Sequence, residues 1–290
     1  MARTVESAFT DYLACLTPTG TESEAARRHR ASLRECLERS FGILDFYPCG
    51  SFGNGTSVSG FSDVDYMVCI PHEHNESSSS DLLDKVTRVL RFRFPQTGVR
   101  VDCPAVKVPF GTEAKENTEV VPGQFYGSTQ GNYRIYHIAD GNGHWIQTCP
   151  AAHKDYIRDL DKRLDGRMRP LVRFLKSWKY RNAVPISSFY LEMFVATYTS
   201  MQSTIIYPMD IEIMLGRLSE GFRTVSDPLG ISGSIYPCPS TTWSSVVAPQ
   251  VATAYTRAQM ANRARSEGDA KTSIESWERV FNGYFSSYTP

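Results

Sequence analysis

Eleven residues separate the pair Gly50-Ser51 from Asp63, and Asp65 follows with only Val64 between. The run Tyr66-Met67-Val68-Cys69-Ile70 is apolar and β-rich, so it predicts a buried strand with both carboxylates at its mouth. Side chains alternate along a strand, so positions 63 and 65 share a face. Two carboxylates held that close repel one another. A divalent cation carrying a triphosphate removes the repulsion, because magnesium takes one or two carboxylates plus phosphate oxygens and keeps several waters. The turn Gly50-Ser51-Phe52-Gly53-Asn54-Gly55 supplies the complement. Glycine lets backbone N–H groups approach phosphate closely, and Ser51 adds a hydroxyl donor. An Asp-x-Asp pair alone is common in solvated loops; joined to Gly-Ser and a hydrophobic strand, it points to metal-assisted chemistry on a nucleotide.

A two-metal site needs a further acid, since the ions lie roughly 3.5–4 Å apart. The short strand Val99-Arg100-Val101-Asp102-Cys103-Pro104-Ala105-Val106 carries an isolated carboxylate, which makes Asp102 the candidate. Glu113 and Glu119 are the alternatives if Asp102 does not serve.

The elements that must position these acids are legible in the periodicity. Val5, Phe9, Tyr12, Leu13 and Leu16 recur at helical spacing, as do Leu33, Cys36, Leu37 and Phe41. The second helix is expected to begin near Thr21, with Glu24 as a capping-box acid. Its Arg27, Arg28, Arg30, Arg34 and Arg39 read as a solvated face, balanced in part by Glu35 and Glu38, in preference to a nucleic-acid surface. A strand over 43–47 feeds the Gly-Ser turn, and 81–92 reads as a helix packed on the sheet. The Asp102 strand and the segments 106–110 and 119–121 continue a mixed sheet. From Ala151 the pattern turns helical: Tyr156, Ile157, Leu160 and Leu164, then Met168, Leu171, Val172 and Leu175. Pro185 stops that helix, and Ser187 or Ser188 caps the next. Helices over 211–218, 246–265 and 274–281 follow. The fold class is α+β, with a mixed-sheet core and amino-terminal helices over 1–150 and a helical lobe over 151–290.

Composition narrows the function classes. The 290 residues are 41% hydrophobic and 12% aromatic with a formal net charge of zero, which fits a globular domain and weighs against a strongly basic nucleic-acid binder. The amino terminus lacks an apolar h-region, and no segment approaches the ~18 apolar residues of a membrane span. A cytoplasmic protein without a membrane partner is expected. Seven scattered cysteines, among them Cys69 and Cys103 in apolar contexts, read as reduced core thiols. His144, Cys149 and His153 offer three soft ligands without a Cys-x-x-Cys pair, too few for a structural zinc site.

Taken with the downstream motifs, the Gly-Ser turn and the acids resemble the nucleotidyltransferases of the DNA polymerase β-like superfamily. Within it, the chain is most similar to the cGAS/DncV-like enzymes (CD-NTases) of bacterial anti-phage signalling. The stretches that carry the resemblance are His144-Trp145-Ile146-Gln147-Thr148-Cys149-Pro150, Leu175-Lys176-Ser177-Trp178-Lys179, Pro185-Ile186-Ser187-Ser188-Phe189-Tyr190-Leu191-Glu192, Asp227-Pro228-Leu229-Gly230 and Trp277-Glu278-Arg279-Val280-Phe281. In the first loop Gly53-Asn54 stands where many relatives carry Ala-Arg. The resemblance implies a polymerase β-like core and a helical lobe closing an active-site cleft. It implies two Mg²⁺ or Mn²⁺ ions on Asp63, Asp65 and Asp102, and attack of a ribose hydroxyl on the α-phosphorus of an NTP. Gly50 and Ser51 would hold the β- and γ-phosphates. Lys176 (with Lys179 as the alternative) and Ser188 would reach the triphosphate, and Phe189 would stack on the donor base. Against these last roles, lysine on a helix face is usually solvated and phenylalanine usually belongs to the core.

The product implied is a cyclic di- or trinucleotide made from NTPs, ATP among them, and read by a separate effector protein. An activating ligand is left open. Direct double-stranded DNA sensing is not expected, because the zinc-ribbon cluster of the animal relatives is absent. The competing readings are an acceptor-dependent nucleotidyltransferase acting on an RNA end or a protein, a synthase of linear oligoadenylate-like products, and a non-catalytic nucleotide sensor.

Overall fold

Seven strands hydrogen-bond into one mixed sheet, and the order in which they pair decides which acids meet. The computed structural model describes residues 3–61, 63–74, 76–111 and 116–289, apart from the side chains of residues 20–23, 25–27 and 116. Glu113, one of the alternative acids, lies outside the described residues.

In chain order, α1 (Val5–Leu16) and α2 (Gly20–Phe41) precede β1 (Asp45–Cys49), the short α3 (Gly50–Asn54) and β2 (Val64–Ile70). Next come α4 (Ser79–Arg93), β3 (Arg100–Asp102), β4 (Ala105–Phe110), β5 (Glu116–Ser128), β6 (Arg134–Ala139) and β7 (Trp145–Thr148). The helices α5 (Pro150–Arg163), α6 (Met168–Arg181), α7 (Ser188–Thr199) and α8 (Tyr207–Ser219) follow. Then β8 (Val225–Ser226) and β9 (Ser234–Ile235) form a small ribbon ahead of α9 (Ser240–Thr242), α10 (Ala248–Ser266) and α11 (Ala270–Val280). A π-helical turn, Trp243–Val247, joins α9 to α10.

Two compact units result, one of Pro18–Tyr156 with Leu229–Gly233, the other of Met1–Thr17, Ile157–Pro228 and Ser234–Pro290. In the first, the strand order is β1-β2-β5-β4-β3, with β6 on β5 and β7 on β6. Only β2 and β5 run parallel; the other pairs of this sheet are antiparallel. The period-two pattern sorts the side chains. Tyr66, Val68, Val106, Val108 and Val120 pack with Leu33 and Leu37 of α2 and with Leu82, Val86 and Leu90 of α4. The intervening positions, Asp65, Lys107 and Glu119 among them, therefore point to the other face.

In the second unit, α1 docks by an aromatic stripe. The ring of Phe9 lies 5.2 Å from Phe174, 5.2 Å from Trp277 and 4.9 Å from Phe285, centroid to centroid. The hydroxyl of Tyr12 bonds that of Ser177. The division at residue 150 thus misassigns α1, which belongs with the helices: its stripe is matched by aromatic partners from α6, α11 and the segment after α11. Cys103 also departs from expectation. It is exposed, whereas Cys69 is buried. Among the described residues, no helix is long and apolar enough to cross a membrane.

Phe9→Ala should cost about 3–5 kcal/mol of stability, the usual loss for a buried phenylalanine. Urea denaturation measures it, and a loss under about 1 kcal/mol would mean that α1 does not anchor this unit.

Candidate active site

The β1–β2 register pairs Cys49 with Asp65, which brings the next residue, Gly50, against the Asp65 carboxylate. A Cβ placed on Gly50 would lie 2.0 Å from Asp65 Oδ2, and the backbone there has φ +54°. Both facts demand glycine. The expected turn is in fact the five-residue helix α3, closed by Gly55 in the left-handed conformation. Ser51 stands in its first turn, where backbone N–H groups have no acceptor within the helix. Gly50, Ser51 and Asp65 are thereby held together by one strand pair.

Asp102 is not part of this group. It is exposed and ends β3, the far edge of the β2-β5-β4-β3 order. Three strand spacings put it roughly 14 Å from β2, too far to share ions with Asp63 and Asp65. The strand beside β2 is β5, and its register sets Glu119 directly against Asp65. Asp102 stood ahead of Glu119 in the sequence as an isolated carboxylate on a short strand expected to neighbour the Asp63 and Asp65 strand. The available signal was a lone carboxylate in the otherwise apolar stretch Glu119-Val120-Val121.

A cation already stands among the acids. Lys107 faces Glu119 across the β4–β5 pair, and its Nζ donates to Asp63 Oδ2 at 2.6 Å and to Glu119 Oε1 at 3.2 Å. Burial works against the charge on Lys107, but the Asp63 and Glu119 carboxylates outweigh it and raise its pKa. Burial and the nearby Asp63 carboxylate raise the pKa of Glu119, with Lys107 offsetting part of the rise. Among the described residues, no three His, Cys, Asp or Glu side chains are gathered as a cation cage; Lys107 holds the place between two of these acids. The fit to a hard divalent ion rests on that stand-in charge and on the all-oxygen donor set of Asp63, Asp65 and Glu119.

The candidates on α6 and α7 separate in the same way. Lys176 has no exposed surface and is ion-paired with Glu192, itself only 2% exposed. A lysine committed to a buried partner cannot serve a solvent-borne triphosphate without leaving Glu192 uncompensated. Lys179 takes over this role as a candidate. Its Nζ donates to Ser188 Oγ at 2.6 Å, and the Tyr180 hydroxyl lies 3.2 Å from the same oxygen. Burial, with Lys176 nearby, lowers the Lys179 pKa to about 8. Ser187, not Ser188, caps α7 by accepting from Tyr190 N at 3.2 Å, which leaves the Ser188 hydroxyl for Lys179. Phe189 is 37% exposed, so it is not a core residue.

Residues 3–161, more than half of the chain, match the family model of the Second Messenger Oligonucleotide or Dinucleotide Synthetase domain. The chain belongs to this family. It is a CD-NTase, a member of a family of nucleotidyltransferases, as its motifs implied. A cyclic AMP-AMP-AMP synthase of Acinetobacter sp. (strain ATCC 27244 / 9458) is 25% identical over 312 residues, 97% of this chain and 85% of that protein. A probable cyclic nucleotide synthase of Bacillus cereus (strain VD146) is 26% identical over 175 residues, 59% of this chain, and the match spans about half (52%) of that relative's length. The fold is also that of solved CD-NTases. CdnC of E. coli MS115-1 with ATP superposes with a TM-score of 0.75 at 18% identity, covering 97% of this chain and 98% of that one. DncV of Vibrio cholerae, a cyclic AMP-GMP synthase solved with a linear intermediate, gives 0.65 at 17% identity, covering 97% and 80%.

Glu119→Gln should weaken Mn²⁺ binding by about tenfold or more, a loss of at least ~1.4 kcal/mol, while Asp102→Asn leaves it unchanged. Isothermal titration of each variant checks the pair, and the opposite ranking would return the third acid to Asp102.

Proposed function

We propose that this chain makes a cyclic oligonucleotide second messenger from NTPs, with Asp63, Asp65 and Glu119 as the ion-binding acids. The observation that carries the reading is the row formed across β2, β5 and β4, in which Asp65 opposes Glu119, Glu119 opposes Lys107, and Asp63 shares the Lys107 ammonium. Two Mg²⁺ or Mn²⁺ ions bound there would supply the charge neutralisation that activates a ribose hydroxyl and relieves the triphosphate. The remaining roles fall to the chain itself. Gly50 keeps the approach to Asp65 open, and Ser51 offers a hydroxyl to a phosphate oxygen. Within its own unit, Lys179 and Ser188 form a cation and donor pair of the kind that binds phosphate oxygens, and Ser188 opens α7. Phe189 gives a base a stacking surface worth about 1–3 kcal/mol. Such a platform tolerates exchange of one base for another, as a linear intermediate must do when it turns round to close.

Two relatives are cyclic AMP-AMP-AMP synthases, which makes ATP the first substrate to test. We place the chain in the cytoplasm, in anti-phage defence, with its product read by a separate effector. CdnC of E. coli MS115-1 has been solved in complex with HORMA-deltaN, and a protein partner of that kind is one candidate for the unidentified ligand here.

Incubation with the four NTPs and Mg²⁺ or Mn²⁺, without acceptor, should give phosphatase-resistant product, and Asp63→Asn/Asp65→Asn should give none. Acceptor-dependent labelling of RNA or protein would replace this reading with the alternative one.

Lys179 sets a pH dependence. A pKa of about 8 means the amine loses its charge as pH rises through that value. A bound triphosphate favours the charged form, so affinity for ATP should fall between pH 7.5 and about 9.5. Lys179→Arg stays charged throughout and should flatten the profile. Calorimetric titration with ATP at several pH values reads both, and a flat wild-type profile would remove Lys179 from the phosphate site.

A further inference from the structure

Lys107 is an unusual residue for its position. Strand β4 sends Val106 and Val108 into the core, so the alternation forces Lys107 onto the face that carries the acids. A lysine on a sheet face normally extends its ammonium into water. This one is only 13% exposed, and its charge is spent on Asp63 and Glu119. On the outer side its strand neighbour is Arg100, which adds no acid. The ammonium therefore offsets carboxylate charge at the proposed ion site and bridges Asp63, just before β2, to Glu119 of β5. A divalent ion drawn to Asp63 Oδ2 and Glu119 Oε1 competes with it, because two cations crowded onto the same oxygens repel one another.

We infer that Lys107 is a resident counter-ion, a positioning residue that holds Asp63 and Glu119 together before a divalent ion arrives and sets the ion concentration at which the site fills. The inference rests on the reading of Asp63, Asp65 and Glu119 as the ion site. It has two consequences of opposite sign. Without the ammonium, the Asp63 and Glu119 carboxylates lose the cation that lies between them, so the ion-free protein loses stability. The same loss removes the competitor, so divalent ions bind more tightly. A lysine with a merely structural role would produce the first effect and not the second.

The experiment is Mn²⁺ titration by calorimetry on the full chain, paired with thermal melts with and without Mn²⁺. Lys107→Met keeps most of the unbranched side chain without its charge. Lys107→Gln serves if the methionine variant does not fold, and Lys107→Arg keeps the charge. The Met or Gln variant should bind Mn²⁺ about tenfold more tightly than wild type, melt lower without the ion and gain more from adding it. The Arg variant should bind Mn²⁺ within about threefold of wild type. Unchanged or weaker binding in the neutral variants, with Glu119→Gln still weakening it, would overturn the counter-ion role and leave the ion site standing. Absence of Mn²⁺ binding in wild type and neutral variants alike would overturn both.

Discussion

The parallel pairing of β2 with β5 is the constraint from which the rest of the candidate site follows. Parallel neighbours need a long crossover, and here it contains α4 together with β3 and β4. Because α4 and α2 cover one face of the sheet, Tyr66, Val68, Val106, Val108 and Val120 must turn towards them. The polar residues between have only the other face available. Asp65, Glu119 and Lys107 are thus brought together by a hydrophobic decision made on the opposite side of the sheet. Register then completes the arrangement: a slip of one residue between β2 and β5 would send Glu119 into the core.

Local features of this site were legible in the sequence. The Gly-Ser pair, the spacing to Asp63 and Asp65, and the apolar run behind them all depend on residues close in the chain. Even the need for glycine at position 50 has a local cause, the strand pair that presses it against Asp65. Strand order was not legible, because nothing in the run around Asp102 says that its strand lies at the sheet edge. An isolated carboxylate on a short strand favoured Asp102, whereas the sheet sets Glu119 in register with Asp65. The partner of α1 was hidden for the same reason. Its stripe of Val5, Phe9, Tyr12 and Leu16 announces a buried face but not which helices will cover it.

The two lysines of α6 show how burial redistributes roles that a motif leaves ambiguous. Lys176 and Lys179 are three residues apart and lie on neighbouring parts of one helix face. Lys176 is enclosed and neutralised by Glu192, while Lys179 meets a hydroxyl and no described carboxylate within ion-pairing distance. The acid was the readable clue. Glu192 falls between Leu191 and Met193 in an apolar helix, and a carboxylate there requires a buried cation. The fully buried Lys176 has its counter-ion in Glu192, and the partly buried Lys179 is the cation of this pair that the proposed function assigns to phosphate.

The most direct test of this account is the position of Mn²⁺ in crystals grown with the ion and a non-hydrolysable ATP analogue, located by anomalous scattering. The account predicts density bonded to oxygens of Asp63, Asp65 and Glu119, with the Lys107 ammonium moved off them. Density at Asp102 with Lys107 still between Asp63 and Glu119 would contradict it.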